Sequence, residues 1–159
     1  MTIYLAGPLF TEAERAWMLA LKNGIIDLAA RIGVTVNVLW PWEFISEVEL
    51  RELRDRAGLE IFRSCVSHLD AADMVIALLD GPMVDDGTAW EIGYFYRLRS
   101  GPEKPIIGIR TDLRNAGETP SSIINAMIEH SCDHIARSET DLLGIVEDLF
   151  DSFTHLIQS

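Results

Sequence analysis

Two apolar periods take turns along this chain. Short runs of continuous or alternating apolar residues mark strands at TIYLA (2–6), VTVNVLW (34–40), DMVIALL (73–79), PIIGIRT (105–111) and a short segment at 132–136. Between them, apolar residues recur every three to four positions, the spacing of a helix with one buried face. This predicts helices from Thr11 to about Arg31, over most of 44–71, at 88–99, at about 121–130 and at about 139–156. Thr11 and Glu14 complete a capping box at the first helix, and Gly33 ends it. Gly58 is the expected division of the 44–71 segment. DMVIALL reads as a central strand covered on both faces.

The resulting order is β-α-β-α-β-α-β-α-β. Such alternation predicts an open, mainly parallel five-stranded sheet with helices on both faces, an α/β fold of the Rossmann or flavodoxin type. No repeat, low-complexity stretch or linker interrupts it, so one domain spanning 1–159 is expected. Open sheets of this kind bind ligands outside the carboxyl ends of their strands.

Composition narrows the partners. The 159 residues carry a net charge of −12, with 48% hydrophobic and 24% charged residues. An acidic chain without Lys/Arg clusters is a poor match for a nucleic-acid backbone or an anionic membrane surface. No apolar run approaches the ~20 residues that cross a bilayer. The start, MTIYLAGPLF, lacks a basic stretch and passes straight into a strand, so a cytoplasmic protein is expected. Cys65 and Cys132 then read as reduced thiols. The four histidines form no metal-ligand pattern; His130 and His134 are four apart, but no H-E-x-x-H surrounds them. Neither G-x-G-x-x-G nor G-x-x-x-x-G-K-[ST] occurs, so neither a dinucleotide nor a phosphate-loop cofactor is implied.

Candidate chemistry concentrates in VDDGTAWEIGYF (84–95), where the third strand meets the next helix. Thr88 and Glu91 have the spacing of a second capping box, and Asp85 and Asp86 suit the positive end of a helix. The same residues also place two carboxylates, Asp85 and Glu91, side by side at a strand end. Paired carboxylates can divide the cleavage of a glycosidic bond between acid and nucleophile. A capping box accounts for neither the doubled aspartate before Gly87 nor the aromatic residues Trp90 and Tyr94. Phe10, Trp40 and Trp42 follow strand ends on the same side, as base-stacking or packing residues, and Glu43 is a candidate for a base edge.

Three separated pieces, IYLAGPLF (3–10), DDGTAWEIGYF (85–95) and Asn125-Ala126-Met127, resemble in order and spacing the nucleoside 2-deoxyribosyltransferase family. The middle piece is similar to that family's D-x-G-x-x-x-E-x-G segment, in a form closer to its purine-preferring branch. The resemblance implies exchange of the base of a 2′-deoxyribonucleoside through a covalent deoxyribosyl-enzyme, with retained configuration. It casts Glu91 as nucleophile, Tyr4 as the group orienting it, and Asp85 as the acid protonating the departing base. Gly7, Phe10, Trp42, Asp86 and Gly87 would line the substrate site. Asn125 and Met127 would reach a neighbouring subunit's pocket near the sugar 5′ end, which implies a homo-oligomer, dimer-based and up to a hexamer. Nucleosides and nucleobases would be its partners, with no cofactor or metal.

For the roles to work, Glu91 must be ionised while Asp85 is protonated for part of the cycle; Asp86 is expected to cap the helix. Members often carry an acidic residue or an Asn-Asp pair eight positions before Asp73, where it helps hold the base. Here that position is Cys65, preceded by Ser64. In some members the terminal carboxylate touches the sugar, which would here be that of Ser159. Two other readings stand beside transfer. One is a hydrolase cleaving nucleoside 5′-monophosphates on the same fold, with Ser121 and Ser122 as phosphate donors. The other is a nucleotide-binding module without chemistry.

Overall fold

The computed structural model describes residues 1–158; Ser159 lies outside them, and with it the question of the terminal carboxylate. Five strands form one parallel sheet: β1 (Thr2–Ala6), β2 (Asn37–Leu39), β3 (Met74–Leu78), β4 (Ile106–Ile109) and β5 (His134–Ala136), in the order β2-β1-β3-β4-β5. Every pairing is parallel, with Tyr4 set between Leu39 and Val75. The order reverses between β1 and β3, which creates a ligand crevice at their carboxyl ends.

The two-residue period of the strands builds two cores. Ile3, Leu5, Met74, Ile76, Ile107 and Ile109 face α1 (Glu12–Ile32) and α6 (Glu139–Gln158). Tyr4, Ala6, Val75, Ala77 and Ile106 face α3 (Ala57–Asp70) and α4 (Asp86–Leu98), meeting Leu69, Ile92 and Phe95. Both sets are sealed from water, so β1 and β3 read as unbroken apolar runs. The predicted sheet, with helices on both faces, is the observed one.

Element boundaries differ from expectation where side chains offer the backbone another partner. The predicted strand 34–40 pairs only over Asn37–Leu39, because β2 is an edge strand whose sole neighbour, β1, begins at Thr2. The 44–71 segment splits into α2 (Glu47–Leu53), a 3-10 turn at Arg54–Arg56, and α3. The break sits at Arg54, whose φ of 47° turns the chain, and Gly58 lies inside α3. The predicted helix 121–130 shrinks to α5 (Ala126–Glu129). There Thr119 binds both Ser121 and Ser122 through its hydroxyl, while Gly117 and Ala116 donate backbone bonds to Ser122 and Ile123. Ser and Thr bonding of this kind competes with helix formation.

Candidate active site

At the α4 start the structure decides between the two readings of Thr88 and Glu91. Asp85, not Thr88, caps the helix: its Oδ2 accepts from the Thr88 backbone N–H at 3.0 Å and from Thr88 Oγ1 at 3.1 Å. No capping box forms. Asp86 is the first helical residue rather than the cap, and its Oδ1 accepts from Gly87 N–H at 2.8 Å. Glu91 is therefore released from cap duty and falls in the second turn, on the face turned towards β1. Its Oε1 accepts the Tyr4 hydroxyl proton at 2.6 Å, across 87 residues of sequence.

Tyr4 is fully buried on the central strand and has one strong acceptor, Glu91. Burial drives its hydroxyl far above the ordinary tyrosine range, reinforced by the Glu91 charge, so it stays a donor. Burial also pushes the Glu91 carboxyl up to about 7, and the Asp85 charge adds to this, while the Tyr4 hydrogen bond pulls the other way. The burial that raises Glu91 favours its protonated form, opposite to the expected arrangement in which Glu91 is the ionised partner. No hydrogen bond within the described residues engages Asp85 Oδ1. Cys65 lies against the Tyr4 hydroxyl, and burial raises its thiol.

Cys65 also forms one corner of a cavity of about 380 Å³. Leu9, Trp42, Phe44, Ile61 and Ser64 contribute to its walls, making it mostly apolar with a few polar groups. Phe44 stacks on His68 at 3.8 Å and stands 6.0 Å from the Tyr4 ring, which ties the cavity wall to the Tyr4–Glu91 pair. The Arg15 guanidinium covers the outer Trp42 ring at 4.6 Å. An apolar slot ending at a few convergent polar groups is the usual form of a small-molecule site. Among the described residues, no group of three or more His, Cys, Asp or Glu gathers as a metal cage, and no helix is long and apolar enough to cross a membrane.

The remaining predicted residues fall into three places. Tyr4, Asp85 and Glu91 stand together, and Cys65 beside Tyr4 joins them to the cavity that Trp42 lines. Gly7 is needed for packing: a Cβ there would come within 2.9 Å of the Met18 side chain. Phe10 is 73% exposed and Leu9 lines the cavity in its place. Trp40 is buried with its indole N–H unpartnered, so it packs, and Glu43 pairs with Lys22 instead of facing the cavity. Gly87 is exposed, with room for a Cβ only 3.2 Å from Asp85 Oδ2. Asn125 caps α5, its Oδ1 accepting from Met127 N–H at 3.0 Å, and it lines a separate cavity of about 260 Å³ with Val84 and Arg110. Met127 is 77% exposed. Ser121 and Ser122 spend their hydroxyls on Thr119. Residues overlooked in the sequence include Ile61 and His68. Their signal was the one-face spacing 61, 64, 65, 68 on α3, which puts them beside Cys65.

Comparison with known proteins bears on the fold and the family. The sequence profile of the family described as nucleoside 2-deoxyribosyltransferase matches residues 3–127. An uncharacterized protein of Ureaplasma parvum is 30% identical over 154 residues, covering 89% of this chain and 91% of that protein. The crystal structure of a conserved protein from Enterococcus faecalis superposes with a TM-score of 0.66 at 25% identity, over 93% of this chain and 98% of the other. A 2-deoxyribosyltransferase from the psychrotolerant bacterium Bacillus psychrosaccharolyticus superposes at 0.67 with 27% identity, over 90% of each chain. The CMP N-glycosidase of Clostridium botulinum, at 16% identity and a TM-score of 0.54 over 92% of this chain and 98% of its own, shares the fold. With the profile spanning both the Tyr4 strand and the Asp85–Glu91 turn, the chain belongs to the nucleoside 2-deoxyribosyltransferase family.

Proposed function

We propose that this protein moves 2-deoxyribose from one nucleobase to another, with Glu91 as the nucleophile. The observation that carries the reading is the 2.6 Å bond from a buried Tyr4 hydroxyl to a half-buried Glu91 carboxylate beside a base-sized apolar cavity. A carboxylate drawn largely out of water contributes little to a pure binder, whereas it stabilises and captures an oxocarbenium-like transition state.

In this mechanism the donor base lies in the cavity against Trp42 and Phe44, with the anomeric carbon facing Glu91. Asp85 Oδ1 protonates a ring nitrogen as the C–N bond breaks, a step worth roughly 10²–10⁴-fold. Glu91 forms an ester to the anomeric carbon, inverting it once. A second base then attacks from the side the first base left, inverting it again, and returns the proton to Asp85. Two inversions leave the β configuration unchanged. Tyr4 holds one Glu91 oxygen so that the other faces the sugar. The raised Glu91 pKa means that the free protein gains its ionised nucleophile only near pH 7. The resemblance of DDGTAWEIG to the purine-preferring branch of the family supports purines as substrates. The exposure of Met127 and the separate location of Asn125 support their service to a neighbouring subunit's pocket in a homo-oligomer.

Chromatography tests this. The protein is incubated with 2′-deoxyinosine plus adenine and, in parallel, with dIMP alone. Formation of 2′-deoxyadenosine is the expected result. Hypoxanthine released only from dIMP would replace the transfer reading with nucleotide hydrolysis.

A further inference from the structure

Arg110 is fully buried at the end of β4, and no carboxylate pairs with it among the described residues. Its guanidinium instead donates to three backbone carbonyls: Nη1 to Leu79 O, and Nη2 to Gly81 O at 3.2 Å and to Arg114 O at 2.9 Å. Its Nε–H is left without an acceptor. A buried cation compensated only by neutral carbonyls is costly, and an apolar side chain of similar length would fill the space at lower cost. What the cation uniquely supplies is a fork of donors reaching two loops at once.

Those loops matter. Leu79 and Gly81 open the β3–α4 turn, whose last residue is Asp85; Arg114 belongs to the β4–α5 loop. The turn is tied from other sides too. Gly81 N–H donates to Asp112 Oδ2 at 3.1 Å, and Asp80 Oδ1 accepts from the backbone N–H groups of Thr111 and Asp112 at 2.6 and 2.9 Å. Gly81 holds a φ of 115°, a conformation only glycine adopts readily. Met83 and Val84, the residues just before Asp85, share a cavity wall with Arg110.

We propose that Arg110 is a positioning residue for the acid: it fixes the β3–α4 turn so that Asp85 meets the departing base. The inference rests on the reading of Asp85 as proton donor. A misplaced acid slows only those reactions that need the proton, because catalysis by a fixed group depends on its placement to within about 1 Å.

The test compares two donors. 2′-Deoxyguanosine needs its base protonated to leave. 7-Methyl-2′-deoxyguanosine carries a cationic base that departs neutral without a proton. Arg110→Lys keeps the charge but loses the fork. Its kcat with 2′-deoxyguanosine is expected to fall roughly tenfold or more, and that with the 7-methyl donor by less than about threefold. Equal losses on both donors, or no loss on either, would overturn the proposal. Gly81→Ala disturbs the same turn from the carbonyl side of the Arg110 contact and leaves the arginine in place, since its Cβ would stand 2.9 Å from Met83 O at that positive φ. It should show the same split between donors, including where Arg110→Lys fails to fold; losses alike on both would count against the positioning role. A failure of the underlying reading looks different: Asp85→Asn would then show no split between the two donors.

Discussion

Three helices of this protein begin with the same local text, a hydroxyl residue followed three positions later by glutamate, and one of them behaves unlike the others. At α1 Thr11 and Glu14 cap each other, with Thr11 N–H to Glu14 Oε2 at 2.7 Å and Glu14 N–H to Thr11 Oγ1 at 3.2 Å. At α2 Ser46 and Glu49 repeat the arrangement at 2.8 and 3.3 Å. At α4 the cap is taken by Asp85, Thr88 moves into the buried interior, and Glu91 turns inward to Tyr4. The electrostatic consequence is opposite in sign. Hydrogen bonds from Ser46 hold Glu49 below the usual carboxylate range, whereas burial lifts Glu91 to about 7. A motif describes what a glutamate can reach; the surroundings decide which partner it takes. The aspartate three residues before Thr88 supplies a better cap, and β1 supplies a buried hydroxyl.

The largest break in this comparison comes from removing the carboxylates one at a time. Glu91→Gln should lower base exchange by roughly 10³-fold or more with the fold retained, as loss of a covalent nucleophile does. Glu49→Gln should leave exchange unchanged. Steady-state rates and far-UV circular dichroism on both variants check this.

Tyr4→Phe should act through protonation. The Tyr4 hydrogen bond is the contribution that lowers the Glu91 pKa, so its removal moves that pKa above about 7. The acid limb of kcat/KM should shift to higher pH, with activity lost near neutrality and partly recovered in more alkaline buffer. A profile lowered uniformly, with its limb unmoved, would contradict this.

Stability should follow the same carboxylate. In the unfolded chain Glu91 ionises near its ordinary 4.5, while in the folded protein it holds its proton to about 7. The folded state therefore binds more protons between those values, and stability falls as pH rises through that window. Below it the group is neutral in both states and the penalty vanishes. Glu91→Gln should accordingly be more stable than the parent protein above pH 7, by a margin on the order of 3 kcal/mol in denaturant unfolding, and match it in acid. The smallest effect belongs to an ordinary cap: Thr11→Ala should cost about 1 kcal/mol in denaturant unfolding and leave exchange unaffected.

Much of this was legible in the sequence because the sheet depends on short-range alternation. TIYLA and DMVIALL each contribute residues to both cores, and a two-residue period says so directly. The motif DDGTAWEIG marked the turn from which the structure sets Glu91 against Tyr4. The roles of residues within it were less legible, because choosing between Asp85 and Thr88 as the cap requires knowing that Tyr4 waits on another strand. The cavity was harder still. Its walls include residues 9, 42, 44, 61, 64 and 65, which lie far apart in the chain and meet only in the folded protein. The helix at 121–130 failed for a local reason, the hydroxyls of Thr119, Ser121 and Ser122 bonding among themselves. Arg110 carried no signal at all, since an arginine at a strand end is ordinarily a surface residue.

The most direct measurement is intact-protein mass spectrometry after rapid acid quench of the protein with a 2′-deoxynucleoside and no acceptor base, followed by peptide mapping. The account predicts a mass gain of one deoxyribosyl unit, carried by the peptide containing Glu91 and absent from Glu91→Gln. An adduct on another residue, or one that persists in Glu91→Gln, would contradict it. So would rapid base release by the parent protein with no adduct formed at any time.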